Sequence, residues 1–328
     1  MTPEANRRAK KFKNINEKHD TDFQNFRKRK SKLKKLHQSG KQAYMRKILK
    51  IVKWLIISVS VILVLGVLLI RFTRMTDKMI YQTGNNYELF ESNFNHHELF
   101  IPVEKDIKIH AVLFKPLSKP IGTIFHHLGN GMTLMNSQNM YAPLIDKGFQ
   151  IFAYERRGFA KSSGNDDNSL TLKNDALSIF DKFLELEEVK NTPIIIWGQS
   201  LGGSFATMNS AEREDAIKGL VLEGTFTSFP DMGKVYANIL NLEKFKWLVP
   251  LLMNNDFPAE NEIKKIDKPI VIIHSISDDQ VPYKLGKKLY DASNKTNTVF
   301  WETDGKHIGG MSDHEDKYVE IFMRMLAN

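Results

Sequence analysis

One serine lies in a setting that could make it a nucleophile. The segment Gly198-Gln199-Ser200-Leu201-Gly202 follows the apolar run Ile194–Trp197 and opens a helical stretch rich in small residues. A serine on a sharp strand-to-helix turn has strained backbone angles, and side chains two positions away on either side would collide there. Glycine at both positions removes that collision. The five-residue pattern is weak by itself, but between a buried strand and a helix it predicts that Ser200 is a nucleophile.

A serine hydroxyl needs a base, and the base needs an acid that orients it. When the serine sits on such a turn, the chain order is serine, acid, histidine. His307 lies in a loop just after the last predicted strand, and Asp278 lies just past the strand before it. Open α/β sheets have their sites at the carboxyl ends of strands. The sequence therefore predicts Ser200, Asp278 and His307 as a catalytic triad.

Other residues compete for two of these roles. The alternatives for the base are His314, His110 and the His96-His97 pair. None of these histidines follows a late predicted strand, which favours His307. For the acid, Asp279 is one residue from Asp278, and Glu223 ends the strand before a long insertion. Both remain alternatives to Asp278.

Two backbone N–H groups should bind the oxyanion that forms when a serine attacks a carbonyl group. One belongs to Leu201, just after the nucleophile. The second should come from the loop that begins His126-His127-Leu128-Gly129-Asn130, and we assign it to Gly129. We expect the two histidines to shape this loop and not to transfer protons. No other ligand is spaced to join them at a zinc ion, and the chain has no cysteine, so we predict no metal and no cofactor.

From residue 99 onward, short apolar runs alternate with longer helical stretches, which predicts an α/β sheet. The predicted strands are Leu99–Val103, Ile107–Phe114, Gly122–His127, Gln150–Tyr154, Ile194–Trp197, Gly219–Glu223, Ile270–His274 and Thr298–Trp301. The predicted helices are 134–147, 170–188, 201–212, 283–292 and 313–326. Two leading strands in succession indicate an antiparallel edge on a mostly parallel eight-stranded sheet with helices on both faces. The longer insertion at 228–266 should be a small helical cap.

The apolar run 51–70 is a candidate membrane-spanning segment. About 20 apolar residues at a rise of ~1.5 Å span a hydrocarbon core of about 30 Å. A buried core helix would have a polar face, and this run offers only Ser58 and Ser60. A cleaved signal peptide would have a shorter leader and a small-residue cleavage site. We therefore predict an uncleaved transmembrane signal anchor in the cell membrane, with the basic flank cytoplasmic and the chain from about residue 71 on the extracytoplasmic side.

Positive charge is concentrated before the apolar run. Residues 1–50 hold 17 of the 47 Lys and Arg residues and 4 of the 38 Asp and Glu residues, a balance of +13, and the rest of the chain has a balance of −4. The body therefore lacks the basic character of a nucleic-acid-binding protein. We expect residues 1–50 to be a flexible cytoplasmic tail near anionic lipid headgroups, with an interfacial basic helix as the alternative. Residues 71–98 should be a linker and lead-in to a catalytic domain at 99–328.

These segments together resemble the membrane-anchored α/β-hydrolase-domain serine hydrolases, neighbours of the prolyl-oligopeptidase-like group, over residues 99–326. Residues 154–162 look like that family's aromatic-acid-x-Arg-Gly-aromatic-Gly-x-Ser turn, and residues 223–228 resemble its segment after the sixth strand. Residues 274–282 resemble its His-Gly-x-x-Asp-x-x-Val-Pro run, which gives the acid role to Asp278, and Gly305-Lys306-His307 matches its base loop. The resemblance implies the α/β-hydrolase fold.

The sequence departs from the family pattern at three places. Ser275 and Ala160 replace glycines of that pattern. The family's His-Gly-Asn loop has an apparent extra residue here, because it reads His-His-Leu-Gly-Asn. Leu128 and Asn130 are therefore alternatives to Gly129 as the second oxyanion donor.

The residues and the resemblance lead us to expect a serine hydrolase that cleaves an ester or thioester through an acyl-enzyme. A site beside a bilayer suits acyl lipids, lysophospholipids or lipidated proteins as substrates, an expectation that rests on location and family. The insertion 228–266 could provide an apolar acyl pocket or serve as a packed lid. A prolyl-oligopeptidase-like peptidase and a non-catalytic membrane scaffold remain alternative functions.

Overall fold

The structure is a computed structural model that describes residues 3–77, 90–165 and 168–327, with side chains described from residue 20. Its contacts divide the chain into two units, residues 1–66 and 67–328. The described part of the first unit is helical, and the second unit contains the sheet. All residues that the sequence predicts to be catalytic lie in the second unit.

The N-terminal helix, α1, runs from Pro3 to Thr73 and includes the basic segment. Residues 3–50 are helical, which agrees with the alternative of a basic helix, and the flexibility of residues 1–50 stays a prediction. Lys and Arg, which favour helices, are frequent here, and no proline follows Pro3 before the apolar run. Among the described residues, one helical segment, Asp20–Thr73, is long and apolar enough to cross a membrane, judged by length and composition.

An eight-stranded sheet with the strand order β1-β2-β4-β3-β5-β6-β7-β8 forms the centre of the second unit. The strands are β1 His96–Glu104, β2 Ile107–Phe114, β3 Gly122–His127, β4 Phe149–Tyr154, β5 Ile194–Gln199, β6 Gly219–Glu223, β7 Ile270–Ser275 and β8 Thr298–Thr303. β2 pairs antiparallel with both β1 and β4, and the other neighbours pair in parallel. Every predicted strand is present, although β1 begins at His96, within the expected lead-in.

Helices occupy most connections between the parallel strands. After α1 they are α2 Leu134–Ser137, α3 Ala142–Asp146, α4 Ser169–Leu184, α5 Leu201–Glu212, α6 Phe229–Ile239, α7 Val249–Leu252, α8 Ala259–Glu262, α9 Tyr283–Ala292, α10 Gly310–Asp313 and α11 Glu315–Ala327. The predicted helix 134–147 is divided, because a new helix begins around Pro143, a residue that suits a first turn. The predicted helix 313–326 begins at Glu315, after the short α10.

The strand side chains alternate between two apolar layers, because successive residues of a strand point to opposite faces. On one face they pack against α4, α5 and α9, and on the other against α2, α3 and α11. Ile196 of β5 lies in the first layer and the fully buried Trp197 in the second. Helices therefore cover both faces, and the predicted α/β-hydrolase fold is confirmed.

The insertion between β6 and β7 is helical, as predicted. It contains α6, a 3-10 helix at Glu243–Leu248, α7 and α8. Phe229, Met232 and Met253 of this cap form an apolar cluster with Leu201 and Phe205 of α5. The cap therefore packs against the helix that begins directly after Ser200.

Candidate active site

Ser200 lies at the turn between β5 and α5. Its backbone angles, φ 52° and ψ −120°, belong to a region that residues with side chains rarely adopt. Two contacts to the end of β6 hold this turn. Ser200 N donates to Glu223 O at 2.8 Å, and Thr225 Oγ1 donates to Ser200 O at 2.9 Å. The strained conformation is thus maintained by its neighbours and not by the turn alone.

The glycines on either side of Ser200 are required because other atoms occupy the space. A Cβ at Gly198 would lie 2.5 Å from Ala206 Cβ, and one at Gly202 would lie 2.0 Å from His127 O. No substitution at Gly202 could be accommodated without moving the backbone of the loop after β3. These contacts provide the physical reason for the glycine spacing around the serine.

The loops after β7 and β8 bring Asp278 and His307 together. His307 Nδ1 lies 2.7 Å from Asp278 Oδ2, and Asp278 Oδ1 accepts the N–H groups of Gln280 and Val281 at 2.9 and 2.8 Å. Burial raises the pKa of Asp278, but the hydrogen bond and charge of His307 and the two N–H groups outweigh it and hold the pKa below its usual value. An ionised Asp278 that accepts Nδ1–H leaves Nε2 of His307 as the basic nitrogen.

A buried histidine, His274, shapes the loop that carries Asp278. Its Nε2 lies 2.9 Å from Val281 O and 3.5 Å from Asp278 Oδ2. Burial lowers the pKa of His274, so the ring is neutral and donates Nε2–H to the Val281 carbonyl. The sequence indicated His274 only as part of a motif. The structure shows that its ring closes the turn whose N–H groups hold Asp278.

The end of β6 lies close to both Ser200 and His307. A Cβ at Gly224 would lie 3.0 Å from His307 Cε1 and 3.1 Å from Nδ1. Gly224 has φ 58°, and Ile308, next to the histidine, has φ 50°. Among the described residues, no hydrogen bond joins Ser200 Oγ to the His307 ring. Catalytic hydrogen bonds are often long before substrate binds.

The loop after β3 passes beside Ser200. A Cβ at Gly129 would lie 3.5 Å from Ser200 Cβ, and the Gly129 N–H is directed at Met132 Sδ with an N–S distance of 3.1 Å. Arg156 Nη1 donates to Leu128 O and Gly129 O at 3.0 and 3.1 Å, which fixes the loop and brings a positive charge to it. The sequence predicted Gly129 as the second oxyanion donor, and Arg156 lies in the segment 154–162 that resembles a family turn. No sequence signal indicated the contact with Met132.

Glu223, an alternative for the acid, is buried and holds three other groups. Its Oε2 accepts Gln199 Nε2–H and the Tyr318 hydroxyl, and its Oε1 accepts the Gly310 N–H, each at 2.7 Å. Burial raises the pKa of Glu223, and these hydrogen bonds oppose that shift. The side chain ties the residue before Ser200 to the loop after His307, a positioning role that sequence reasoning missed.

The other candidates for base and acid contact different partners. The histidine contacts are His314 with Asp304, His110 with Glu98 and Glu155, His96 with Phe94 O, and His97 with Glu188. Asp279 is exposed, and within the described chain it forms no hydrogen bond with His307. Of the candidates considered, Asp278 and His307 are the pair that the structure brings into contact.

The two histidines at the end of β3 are buried in the core. His126 Nδ1 and His127 Nδ1 each lie 2.9 Å from a tyrosine hydroxyl, those of Tyr141 and Tyr154. Burial lowers the pKa of His126 to about 3 and that of His127 well below its usual value, so both rings are neutral. Within the part of the chain that the structure describes, no cluster of His, Asp and Glu side chains could hold a metal ion.

A cavity of about 130 Å³ lies beside Ser200. Its other lining residues are Asn130, Leu201, Phe226, Met232, Tyr236, Gln280 and Val281. Tyr236 also lines a second, mainly apolar cavity of about 180 Å³ within the cap. Ser200, the first residue of α5 and the cap thus surround one space.

Comparisons with known proteins agree with this architecture. The family model for the alpha/beta hydrolase fold matches residues 124–269. The Escherichia coli O157:H7 protein YfhR is 28% identical over 220 residues, covering 65% of this chain and 72% of YfhR. The lysophosphatidylserine lipase ABHD12 of Xenopus tropicalis is 31% identical over 162 residues, covering 46% of this chain and 41% of that protein.

Solved structures show the same fold. The Pyrococcus furiosus esterase Pf2001 superposes with a TM-score of 0.59 at 16% identity, covering 74% of this chain and 97% of the esterase. At that identity the similarity concerns the fold alone. Fold, family match and relatives together support a hydrolase. The chain has the α/β-hydrolase fold, its residues 124–269 match the alpha/beta-hydrolase family model, and it is a homologue of ABHD12 and YfhR.

Proposed function

We propose that this chain is a serine hydrolase that cleaves an ester or thioester through an acyl-enzyme on Ser200. The observation that carries the proposal is the contact of His307 with Asp278, at 2.7 Å. This contact and the Ser200 turn both lie at the carboxyl ends of the parallel strands. The α/β-hydrolase fold and the lipase relative support hydrolysis as the reaction class. No metal or cofactor enters the proposed steps.

The reaction has two halves that use the same three side chains. Ser200 Oγ attacks the carbonyl carbon while His307 Nε2 takes the hydroxyl proton, and Asp278 stabilises the resulting imidazolium. His307 then gives the proton to the leaving alcohol or thiol, which leaves the acyl group on Ser200. In the second half His307 activates a water, which releases the acid and restores the serine.

The developing oxyanion accepts the N–H groups of Leu201 and Gly129. Leu201 is the first residue of α5, where backbone N–H groups lack intrahelical acceptors. The Gly129 N–H contacts the Met132 thioether, a weak acceptor that a charged oxygen displaces readily. Arg156 holds the loop and adds favourable charge. Loss of one donor of this kind costs roughly 10²–10³-fold in kcat.

The cavities favour an apolar acyl group as the part of the substrate that enters the site. A cavity of roughly 150 Å³ holds benzene, so the cavity of about 130 Å³ beside Ser200 accommodates a short acyl group. The apolar cavity of about 180 Å³ beyond Tyr236 would hold the rest of a longer chain. The relative ABHD12 is named a lysophosphatidylserine lipase. An acyl lipid is therefore the substrate class that we favour.

Residues 51–70 would anchor the chain in the cell membrane, with the basic residues before them at anionic headgroups in the cytoplasm and the hydrolase domain on the other side. The chain has no cysteine, and Leu117 is 99% exposed, so Leu117→Cys gives a single accessible thiol. A membrane-impermeant maleimide should label this variant on intact cells. Labelling only after lysis would contradict the proposed orientation.

Fluorophosphonate labelling of the full chain, with p-nitrophenyl ester turnover, tests the reaction. Wild type should label and turn over esters, whereas Ser200→Ala should lose labelling and roughly 10⁴-fold or more of kcat. Ser204→Ala is the matched control, since Ser204 Oγ is buried on the same helix without a hydrogen-bond partner among the described residues. A folded wild type that neither labels nor turns over esters would favour the alternative function, a non-catalytic membrane scaffold. Preference for aminoacyl nitroanilides would favour a peptidase.

The structure of the fluorophosphonate adduct tests the two proposed donors. The phosphoryl oxygen should accept the N–H groups of Leu201 and Gly129, with Met132 Sδ moved away from Gly129. A hydrogen bond from Asn130 N or Leu128 N in place of Gly129 N would reassign the second donor. The position of the alkyl chain of the bound fluorophosphonate would also show whether Tyr236, which lines both cavities, moves.

A further inference from the structure

Large apolar side chains cover the outer side of the cap. Six of them lie within 239–251 and are exposed: Ile239, Leu240, Leu242, Phe245, Trp247 and Leu251. We refer to these residues as the cap surface. Trp247 is 67% exposed and Ile239 64%. Exposed apolar residues in such a group mark interaction sites, because single scattered ones are normal but clusters are not.

The cap surface is tied to the end of the proposed anchor. Arg71 directly follows the apolar run 51–70, and its Nη1 donates to Pro250 O and Leu251 O at 3.2 Å and to Met253 O at 3.3 Å. Asn254 Nδ2 donates back to Arg71 O at 3.1 Å. These contacts lie within the second unit and hold α7 beside the last turn of α1.

The reach of one arginine side chain limits how far α7 can be from a bilayer. If Ile70 lies at the hydrocarbon edge, Arg71 is in the headgroup layer, which is about 5–8 Å thick on each side. The carbonyls that Arg71 contacts are then in or next to that layer. Leu251, whose carbonyl is one of them, is itself exposed. Its side chain is thus within reach of the acyl–headgroup boundary.

Basic residues accompany the apolar ones. Lys244 and Lys246 alternate with Phe245 and Trp247 in the sequence. Lys234, Lys246, Lys284 and Lys288 line an open cavity of about 320 Å³ with a single acidic residue, Asp231. Aromatic and basic side chains together are typical of surfaces that lie at a membrane interface. Lys234 and Lys288 form ion pairs with Asp231, and Lys288 also with Glu260. Lys244, Lys246 and Lys284 therefore supply the charge that complements an anionic bilayer.

We propose that the cap surface docks on the bilayer that holds residues 51–70, with its apolar side chains at the acyl–headgroup boundary and its lysines at anionic headgroups. This inference rests on the anchor of the proposed function. Leu240, Leu242 and Phe245 of this surface also line the apolar cavity that Tyr236 shares with the cavity at Ser200. An acyl chain could then pass from the bilayer to the nucleophile without crossing water.

Spin labels in the full chain test the docking, because the chain has no native cysteine. The variants are Trp247→Cys in the cap surface, Val61→Cys in the apolar run, and Leu117→Cys as a control that is 99% exposed. Each is reconstituted in vesicles of phosphatidylcholine with an equal part of phosphatidylglycerol. Collision with lipid-soluble oxygen and with an aqueous nickel chelate is then measured for each label.

Docking requires that the labels at 247 and 61 collide with oxygen and are protected from nickel, while the label at 117 stays aqueous. An aqueous label at 247 with a lipid-embedded label at 61 overturns the docking and leaves the anchor intact. Aqueous labels at both positions overturn anchor and docking together. Protection at 247 from both reagents, with spin–spin broadening between copies, would show a second copy on the cap surface and also overturn the proposal.

Activity gives a second, independent test. Trp247→Ser with Leu251→Ser changes two exposed residues that line neither of the two cavities near Tyr236. This double variant should hydrolyse an ester presented in anionic vesicles roughly 100-fold more slowly than wild type, since each of the two large apolar side chains contributes about tenfold to partitioning. Its turnover of a water-soluble p-nitrophenyl ester should stay unchanged. Equal rates for wild type and variant on vesicles would refute the proposal.

Discussion

Replacing Gly224 with alanine should displace the base while the chain stays folded. The added Cβ would lie 3.0 Å from His307 Cε1, where an ordinary contact begins near 3.4 Å, so the ring or the backbone must shift by a few tenths of an ångström. A misplacement of ~1 Å can cost about 10²-fold in rate, so a shift of this size should reduce kcat roughly 5- to 10-fold. KM should change little, because Gly224 lines neither cavity near Ser200.

The positive φ of Gly224, 58°, adds a cost that is unrelated to catalysis. An alanine in left-handed backbone costs about 1–2 kcal/mol. Gly148→Ala is the matched control, because Gly148 also has positive φ, 96°, but a Cβ there meets only ordinary contacts with Ile121. Ester turnover and thermal unfolding of both variants separate the two effects. If Gly224→Ala loses no more kcat than Gly148→Ala, the contact with His307 does not position the base.

Two further predictions concern stability. Ala160 has φ 41° where the family pattern has glycine, so Ala160→Gly should raise the free energy of unfolding by about 0.5–1 kcal/mol, or the Tm by ~1–4 °C, whereas Ala176→Gly inside α4 should lower both. A lower Tm for Ala160→Gly would contradict the strain at this position. Because the pKa of Asp278 is held below its ordinary value, its ionisation contributes stability that is present above about pH 4 and is lost as the pH falls through the folded-state pKa. Urea unfolding of wild type and Asp278→Asn should therefore differ at neutral pH and converge in acid, and a difference independent of pH would argue against the charge of Asp278 as its cause.

The sheet could be predicted because each strand is a short apolar run with polar or glycine-rich borders. Buried parallel strands have such runs by necessity, since both of their faces meet helices. Helix bounds were less predictable. The stretch at 134–147 has helical composition throughout, and its division depends on how Pro143 and the neighbouring turns pack. The basic segment before the apolar run is helical, the alternative that the spacing of its apolar residues had left open.

The proposed triad residues were accessible from the sequence because catalysis requires particular residue types at strand ends, in a fixed chain order. The supporting contacts were not. Glu223 and Tyr318 are 95 positions apart, and Gly129 and Met132 meet through a side-chain conformation that no motif encodes. Such contacts depend on which loops the completed sheet places side by side. The sequence therefore left Glu223 as an alternative for the catalytic acid, because its hydrogen bonds with Gln199 and Gly310 become visible only in the folded chain.

The segment from Glu223 to Thr225 has a consequence for how this protein can diversify. Both the Ser200 turn and the His307 loop take their positions from these residues, through Ser200 N, Gly310 N and the His307 ring. The cap begins only afterwards, at α6. Insertions or exchanges in the cap therefore leave the spacing of Ser200 and His307 unchanged, so selection can alter the cap without rebuilding the proposed catalytic site.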